Sequence, residues 1–362
     1  MTSETTPASP VEVLSERLFD SFLGALDVFA LYLGDRLGYY QSLADDGPAT
    51  PEELAARTAS HPRYAREWLE QQAMSGLVEV VQPDDGVNRR FGLSPAMVEV
   101  TTDRSSLNYL GPLGRMFAAI GPQLPHLVEA YRTGGGVSWE VLGEDARESQ
   151  ADLNRPWYEQ RLAAALGAVS AVDDVLDRDD ASVLDIGCGG AWSTIPLARA
   201  HPRARFSAVD IDEATVEMAR SNVREAGLEE RITVRQADAV DLSEGSFDLA
   251  FAFECVHDMP RPVEVLAAVR RALKPGAGLV VMDEAVGESF DPAGEFAVVD
   301  RLMYGFSLGV CLPDSMSTPG SVATGTVMRR STLEAYAREA GFTSVEVLPI
   351  EGFGFWRFYR LV

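Results

Sequence analysis

The sequence predicts an α/β protein: an open, mostly parallel seven-stranded sheet with an antiparallel last strand, behind a mainly helical N-terminal domain. Three observations predict it. Val183–Ile186 is an apolar run broken only by Asp185; Gly187, Gly189 and Gly190 follow at once, and a helical pattern (Ile195, Leu197, Ala198) then begins. Two further strand-like runs, 206–210 and 232–239, carry acids at or near their ends, Asp210 and Asp238. The last two runs, 344–350 and 354–361, have only a turn between them, which implies an antiparallel closing hairpin.

A strand that turns through glycines into a helix brings backbone N–H groups close to whatever lies above the strand's carboxyl end. An open α/β sheet builds a nucleotide pocket in this way, and an acid at the next strand tip suits a ribose. The G-x-G-x-x-G spacing of a dinucleotide site is absent. Strands are expected near 182–186, 205–209, 231–236, 248–253, 278–283, 344–349 and 354–361.

The set Asp185-x-Gly187-x-Gly189, Asp210, Asp238-Ala239 and Phe247–Phe251 resembles the Rossmann-like, class I methyltransferases that use S-adenosylmethionine (SAM) and release S-adenosylhomocysteine (SAH). The resemblance covers roughly residues 180–362. It implies that Asp185, Gly187 and Gly189 pass the methionine part of the cofactor. It also implies that Asp210 and Ile211 hold the ribose side, that Asp238 and Ala239 face the adenine, and that Phe253 and Tyr158 touch the cofactor, with plain helix packing as the alternative for Tyr158. Ala191 and Trp192 stand where many members have another glycine; alanine is small enough to keep the turn.

A chain of 362 residues with 46% hydrophobic content suits two domains with a sizeable core. The net charge of -24, from 55 acidic against 31 basic residues, argues against phosphate backbones and anionic lipid as main partners. Three scattered cysteines (Cys188, Cys255, Cys311) fit a reducing compartment. The first ten residues read as a disordered leader without a secretory pattern, and no apolar run reaches a membrane span. The expectation is a cytoplasmic protein.

Domains are expected at 1–104, 105–180 (a helical connector) and 181–362. Val11 to about Tyr40 is helical, with apolar residues from Val13 to Ala30 recurring at three and four residues. That surface needs a partner, and a homodimer interface is the expectation. Thr50-Pro51-Glu52-Glu53 is a capping box with proline at the first helical position. A second helix runs from His61 to Leu77, and 78–81 with 90–93 flank Asp84-Asp85-Gly86 as a hairpin. Together these describe a winged helix. Arg63 and Arg66 are balanced by Glu67 and Glu70, so there is no basic face for nucleic acid. The arrangement resembles the N-terminal dimerisation domain of plant-type and bacterial small-molecule O-methyltransferases. Gln150–Ala171 reads as a helix leading into the third domain, and Ser331-Thr332-Leu333-Glu334 as a second capping box.

Residues 286–330 interrupt the strand–helix rhythm with an aromatic-rich helix (300–307) and a Pro/Ser/Thr/Gly-rich loop. A loop of that length is usually functional, so this insert reads as a substrate wall. Met303, Tyr304, Phe306 and Trp356 are its candidate lining residues, with core packing as the alternative.

His257 and Asp258 follow the fourth strand of the sheet. Cys255-Val256-His257-Asp258 matches the Cys-x-His-Asp segment of plant-type O-methyltransferases, whose histidine is the general base. Methyl transfer needs positioning, and deprotonating a hydroxyl acceptor adds about 10²–10⁴-fold. The alternative is a histidine that only shapes the pocket. Glu284 is the candidate to orient His257. Some 2-oxo-acid C-methyltransferases of similar architecture bind iron through such a His-Asp pair and a distant histidine. Here His61, His126 and His201 all lie outside 286–330, so no metal is assigned. Oxygen is the expected acceptor atom, ahead of nitrogen or activated carbon.

Overall fold

A computed structural model describes residues 9–82 and 88–362. The expected leader lies mostly outside the described residues, as does the expected wing tip, Asp84-Asp85-Gly86. The chain forms two compact units, divided between Ala118 and Ala119.

The first unit holds α1 (Pro10–Arg36), α2 (Tyr39–Asp45), α3 (Pro51–Arg57), α4 (Pro62–Met74), β1 (Glu79–Gln82), β2 (Arg90–Gly92) and α5 (Pro95–Thr102), and α6 (Leu113–Ile120) runs through the boundary. Thr50 and Glu53 close the expected capping box on α3, with N···O distances of 3.2 and 3.0 Å. The long first helix does not reach Tyr40. It stops at Arg36, and Gly38 adopts a left-handed φ of 68° that glycine takes without strain, so a second helix begins at Tyr39. That break folds Tyr39 and Tyr40 onto Trp68 of α4, with ring centroids 4.9 and 5.0 Å apart, edge on. The Trp68 indole donates to the Ala30 carbonyl at 2.8 Å and ties α4 to α1. β1 and β2 pair antiparallel as the expected hairpin.

The second unit begins with α7 (Leu124–Thr133), α8 (Trp139–Trp157), α9 (Ala163–Gly167) and α10 (Ser170–Leu176). The helix expected over 150–171 therefore starts earlier. It also changes pitch: Tyr158–Leu162 is a π-helical turn, and Gly143 inside α8 is non-helical. The sheet follows as β3 (Ser182–Ile186), β4 (Arg205–Asp210), β5 (Ile232–Gln236), β6 (Phe247–Phe253), β7 (Leu273–Glu284), β8 (Val345–Val347) and β9 (Trp356–Leu361). Between them lie α11 (Thr194–Ala200), α12 (Glu213–Glu225), α13 (Pro262–Ala272), α14 (Ala297–Phe306), α15 (Leu312–Ser317) and α16 (Arg330–Glu339).

Strand order is β5-β4-β3-β6-β7-β9-β8; β3 to β7 run parallel, and β9 is antiparallel to both neighbours. The order reverses between β3 and β6, so a crevice opens at their carboxyl ends. Both faces are covered by apolar clusters, with Val183 and Phe251 in one, and Leu184 and Ala250 in the other. Burial on both faces is why these strands read as apolar runs without alternation.

Two local expectations are corrected. Ser331 does not cap α16: it lies inside the helix, Arg329 is the N-cap without a side-chain bond, and Glu334 instead accepts from Arg330 at 2.7 Å. The connection between β8 and β9 is also longer than a turn, spanning 348–355.

Gly34 tests the core of the first unit. Alanine for glycine in a free helix gains about 1 kcal/mol, but a Cβ here would stand 2.5 Å from both Trp68 Cζ2 and Tyr40 Cε2. We expect Gly34→Ala to destabilise this unit by about 1–3 kcal/mol in denaturant unfolding followed by circular dichroism. A variant as stable as the parent would refute this account of the packing.

Candidate active site

The site is built at the strand-order reversal. Gly187 and Gly189 have left-handed φ values of 61° and 52°. A Cβ on Gly187 would lie 2.7 Å from Cys255 Cβ, so the turn after β3 and the loop after β6 meet where no side chain fits. Ala191 is left-handed as well, at φ 61°, and fully buried, which explains why glycine suits that position. Asp185 is buried and accepts from Ser193 (2.8 Å) and Thr194 (2.5 Å); burial raises its pKa to about 6 against those two bonds.

Asp210 ends β4. Its two carboxylate oxygens accept from the Gly189 and Asp212 amides, each at 3.0 Å, which locks the acid against the glycine turn, and burial raises its pKa. Ile211 beside it is 71% exposed. Asp212, the N-cap of α12, forms a two-pronged pair with Arg147 of α8 at 2.6 and 3.0 Å. Burial works against the Asp212 carboxylate, but bonds from Arg147 and Thr215 hold its pKa low. After β5, Asp238 accepts from the Val240 amide and shapes the turn that carries Ala239. Phe253 at the tip of β6 is buried, and its ring lies 6.2 Å from that of Tyr158.

The second half of the site surrounds His257, which is 3% exposed. Its Nδ1 lies 2.5 Å from Asp283 Oδ1 and 3.3 Å from Glu284 Oε2; its Nε2 lies 3.2 Å from Asp258 Oδ1. On Nδ1, Asp283 is thus the nearer acid and the expected Glu284 the farther. Burial opposes a charged imidazole, yet Asp258, Asp283 and Glu284 together outweigh it and hold the pKa well above the ordinary histidine value. Burial pushes Glu284 well above the carboxylate range, and the His257 charge keeps Asp283 below it in spite of its burial. Asp258 Oδ1, Asp283 Oδ2 and Glu284 Oε2 are buried without a hydrogen-bond partner.

Two residue sets here have the donor chemistry of a cation site: His257, Asp258 and Cys311, and His257, Asp283 and Glu284, with ligand atoms within 4.8 Å of one another in each set. Cys311 belongs to the 286–330 insert, as do Met303, Tyr304 and Phe306. Met303 is buried, Tyr304 is 38% exposed with its hydroxyl 3.3 Å from Arg329, and Phe306 is half-buried. Trp356 is packed among aromatic residues, its ring centroid 5.6 Å from Trp157 and 5.8 Å from Phe353, and its indole donates to Glu254.

Sequence reasoning did not single out Asp283, Glu254, Cys311 or Arg147. The Met282-Asp283-Glu284 ending of β7 carried a signal, since either acid of a strand tip can turn toward the crevice. Arg147 and Cys311 carried none, because only the fold brings them to the site.

Residues 183–276 match the family described as a methyltransferase domain, and residues 24–89 match the Rv2258c-like winged helix-turn-helix domain. Residues 183–276 are a methyltransferase domain. The chain's solved neighbours include mitomycin 7-O-methyltransferase MmcR, 22% identical over 96% of this chain and 97% of that one, with a TM-score of 0.70. PigF with SAH is 20% identical over 96% and 98%, with a TM-score of 0.71. In sequence, the 27-O-demethylrifamycin SV methyltransferase of Amycolatopsis mediterranei is 34% identical over 122 residues, 33% of this chain and 44% of that protein. The chain spans 40 to 55% of the length of the first curated relatives it matches. The methyltransferase domain's cofactor is S-adenosylmethionine, and the residues fit it. The turn leaves open space at Gly189, where a Cβ would meet nothing within 4 Å, and acids wait at the tips of β4 and after β5.

Proposed function

We propose that this protein transfers a methyl group from SAM to a hydroxyl oxygen of a small-molecule acceptor, with His257 as the general base. The observation that carries the base role is the fixed imidazole. Asp283 sits 2.5 Å from Nδ1, which turns Nε2 toward Asp258 and the 286–330 insert through Cys311. SAM, when bound, supplies an electrophilic methyl on a cationic sulfur. His257 Nε2 takes the acceptor's hydroxyl proton, and Asp283, Glu284 and Asp258 stabilise the imidazolium that results. Met303 and Phe306 are the apolar wall for the acceptor, and Asp258 its polar edge.

Because three carboxylates favour the protonated imidazole, the neutral form that accepts a proton grows in only as pH rises through the raised pKa. The rate should therefore climb with pH along a limb lying above the ordinary histidine value of about 6.5. Asp283→Asn removes one of those carboxylates and should move the limb to lower pH. His257→Ala should lower kcat by about 10²–10⁴-fold and leave SAM affinity within roughly threefold. Unchanged turnover in that variant, followed as SAH released, would remove the base.

We also read α1 as a homodimer interface. Leu14, Leu18, Phe19, Phe22, Leu23, Leu26 and Phe29 are each 47–65% exposed on it. A run of apolar side chains this dense marks an interaction surface. Four basic residues of the winged helix are paired with acids: Arg63 to Glu67 (2.5 Å), Arg66 to Glu52 (3.3 Å), Arg89 to Glu70 (3.5 Å) and Arg90 to Glu53 (2.5 Å), which favours a protein partner over nucleic acid. Sedimentation of the Phe22→Glu, Leu26→Glu double variant should give half the mass of the parent; equal masses would count against the interface.

A further inference from the structure

Glu254 is the first residue after β6 and precedes Cys255, the residue that fills the space beside Gly187. Its φ of 51° is left-handed, a conformation costing a non-glycine residue about 1–2 kcal/mol. That strain is offset by what the side chain does. One carboxylate oxygen accepts from the Trp356 indole of β9, and the other from Asn154 and Gln150 of α8, the latter at 3.1 Å. The same helix grips Asp212 through Arg147, and its Ala151 lies 3.3 Å from where a Gly190 Cβ would stand. Glu254 therefore fastens α8 across the glycine turn, on the edge between the cofactor side of the crevice and His257.

All three donors to Glu254 are neutral N–H groups. The titratable groups that face it are His257, Asp283, Glu284 and Tyr158. Only His257 carries positive charge, and three other carboxylates already share it. Glu254 is thus a half-buried acid without a cation of its own, and desolvation lifts its pKa to about 7.

We propose that Glu254 is a positioning residue whose carboxylate, held in place by its three donors, faces the cofactor's sulfonium when ionised, so that the site holds cationic SAM more tightly than neutral SAH. The proposal rests on SAM being the cofactor. It names a discrimination that helps product leave: the sulfur loses its charge on methyl transfer, and with it the attraction to Glu254.

Calorimetry on the full chain with SAM and SAH tests this. Glu254→Gln removes the charge and turns one accepting end into an NH2 group, so it should weaken both ligands but cut the preference for SAM over SAH by about tenfold. Trp356→Phe removes one hydrogen bond and keeps the charge, so it should weaken both ligands by a similar factor and preserve the ratio. A purely structural Glu254 would lower both affinities together in Glu254→Gln, and an unchanged ratio there overturns the proposal. Should that variant fail to fold by circular dichroism, the parent protein decides. SAM affinity should rise relative to SAH as pH passes about 7 and the acid ionises, and a ratio flat from about pH 5.5 to 8.5 overturns it. If the parent binds neither ligand, the cofactor reading itself fails, a result distinct from either of these.

Discussion

The contact between the glycine turn and the loop after β6 governs this site. β3 and β6 are neighbouring parallel strands, with Ile186 opposite Ala252, so the chains leaving their carboxyl ends are forced together. Only a residue without a side chain fits at 187, because Cys255 already occupies that space. The close approach has two consequences. The Gly189 N–H of the turn reaches Asp210 on one side, and Glu254, His257 and Asp258 are delivered to the other. One steric constraint thus sets the glycine turn and the His257 cluster within reach of each other.

Charge sets the character of what fits there. Asp185, Asp210, Glu254, Asp258, Asp283 and Glu284 gather around the crevice, and the imidazole of His257 is the cation placed among the last three. Burial pushes Asp185 to about 6 and Glu254 to about 7, so part of this set is poised to ionise when a positive ligand arrives. Coulomb attraction in a partly desolvated cleft is several times stronger than in water. A sulfonium suits such a pocket. A neutral thioether gains nothing from it.

The fold was legible because its signals are local and repeated. Apolar runs of the right length, glycines directly after Ile186, and acids at 210 and 238 each follow from one strand feeding one turn, and the strands lie within a residue or two of their expected places, apart from an early start of β7 and a shorter β8. The Thr50–Glu53 cap held because both its bonds are made within four residues. The Ser331–Glu334 pattern has the same spelling but failed, since Arg329 enters the helix first and Arg330 claims Glu334. The candidate site was half legible. His257 could be placed by the strand it follows. Whether Asp283 or Glu284 would orient it depends on which adjacent side chain turns inward at the strand end. Arg147 and Cys311 reach the site across 65 and more than 50 residues of chain from Asp212 and His257, so no window of sequence pairs them.

The N-terminal unit follows the same reasoning with the balance reversed. Its helices and hairpin reproduce a nucleic-acid-binding shape, yet shape alone binds nothing: affinity for phosphate comes from unpaired cations that release counterions. Here Arg63, Arg66, Arg89 and Arg90 each face a glutamate of the same unit, and the whole chain carries a net charge of -24. What α1 offers instead is apolar area. Along its 27 residues only Ala30 and Gly34 are buried, while leucines and phenylalanines stand open on it. Each such side chain gains about 1.5–3 kcal/mol when fully covered. That apolar area, beside four arginines already facing glutamates, is what the proposed protein interface rests on.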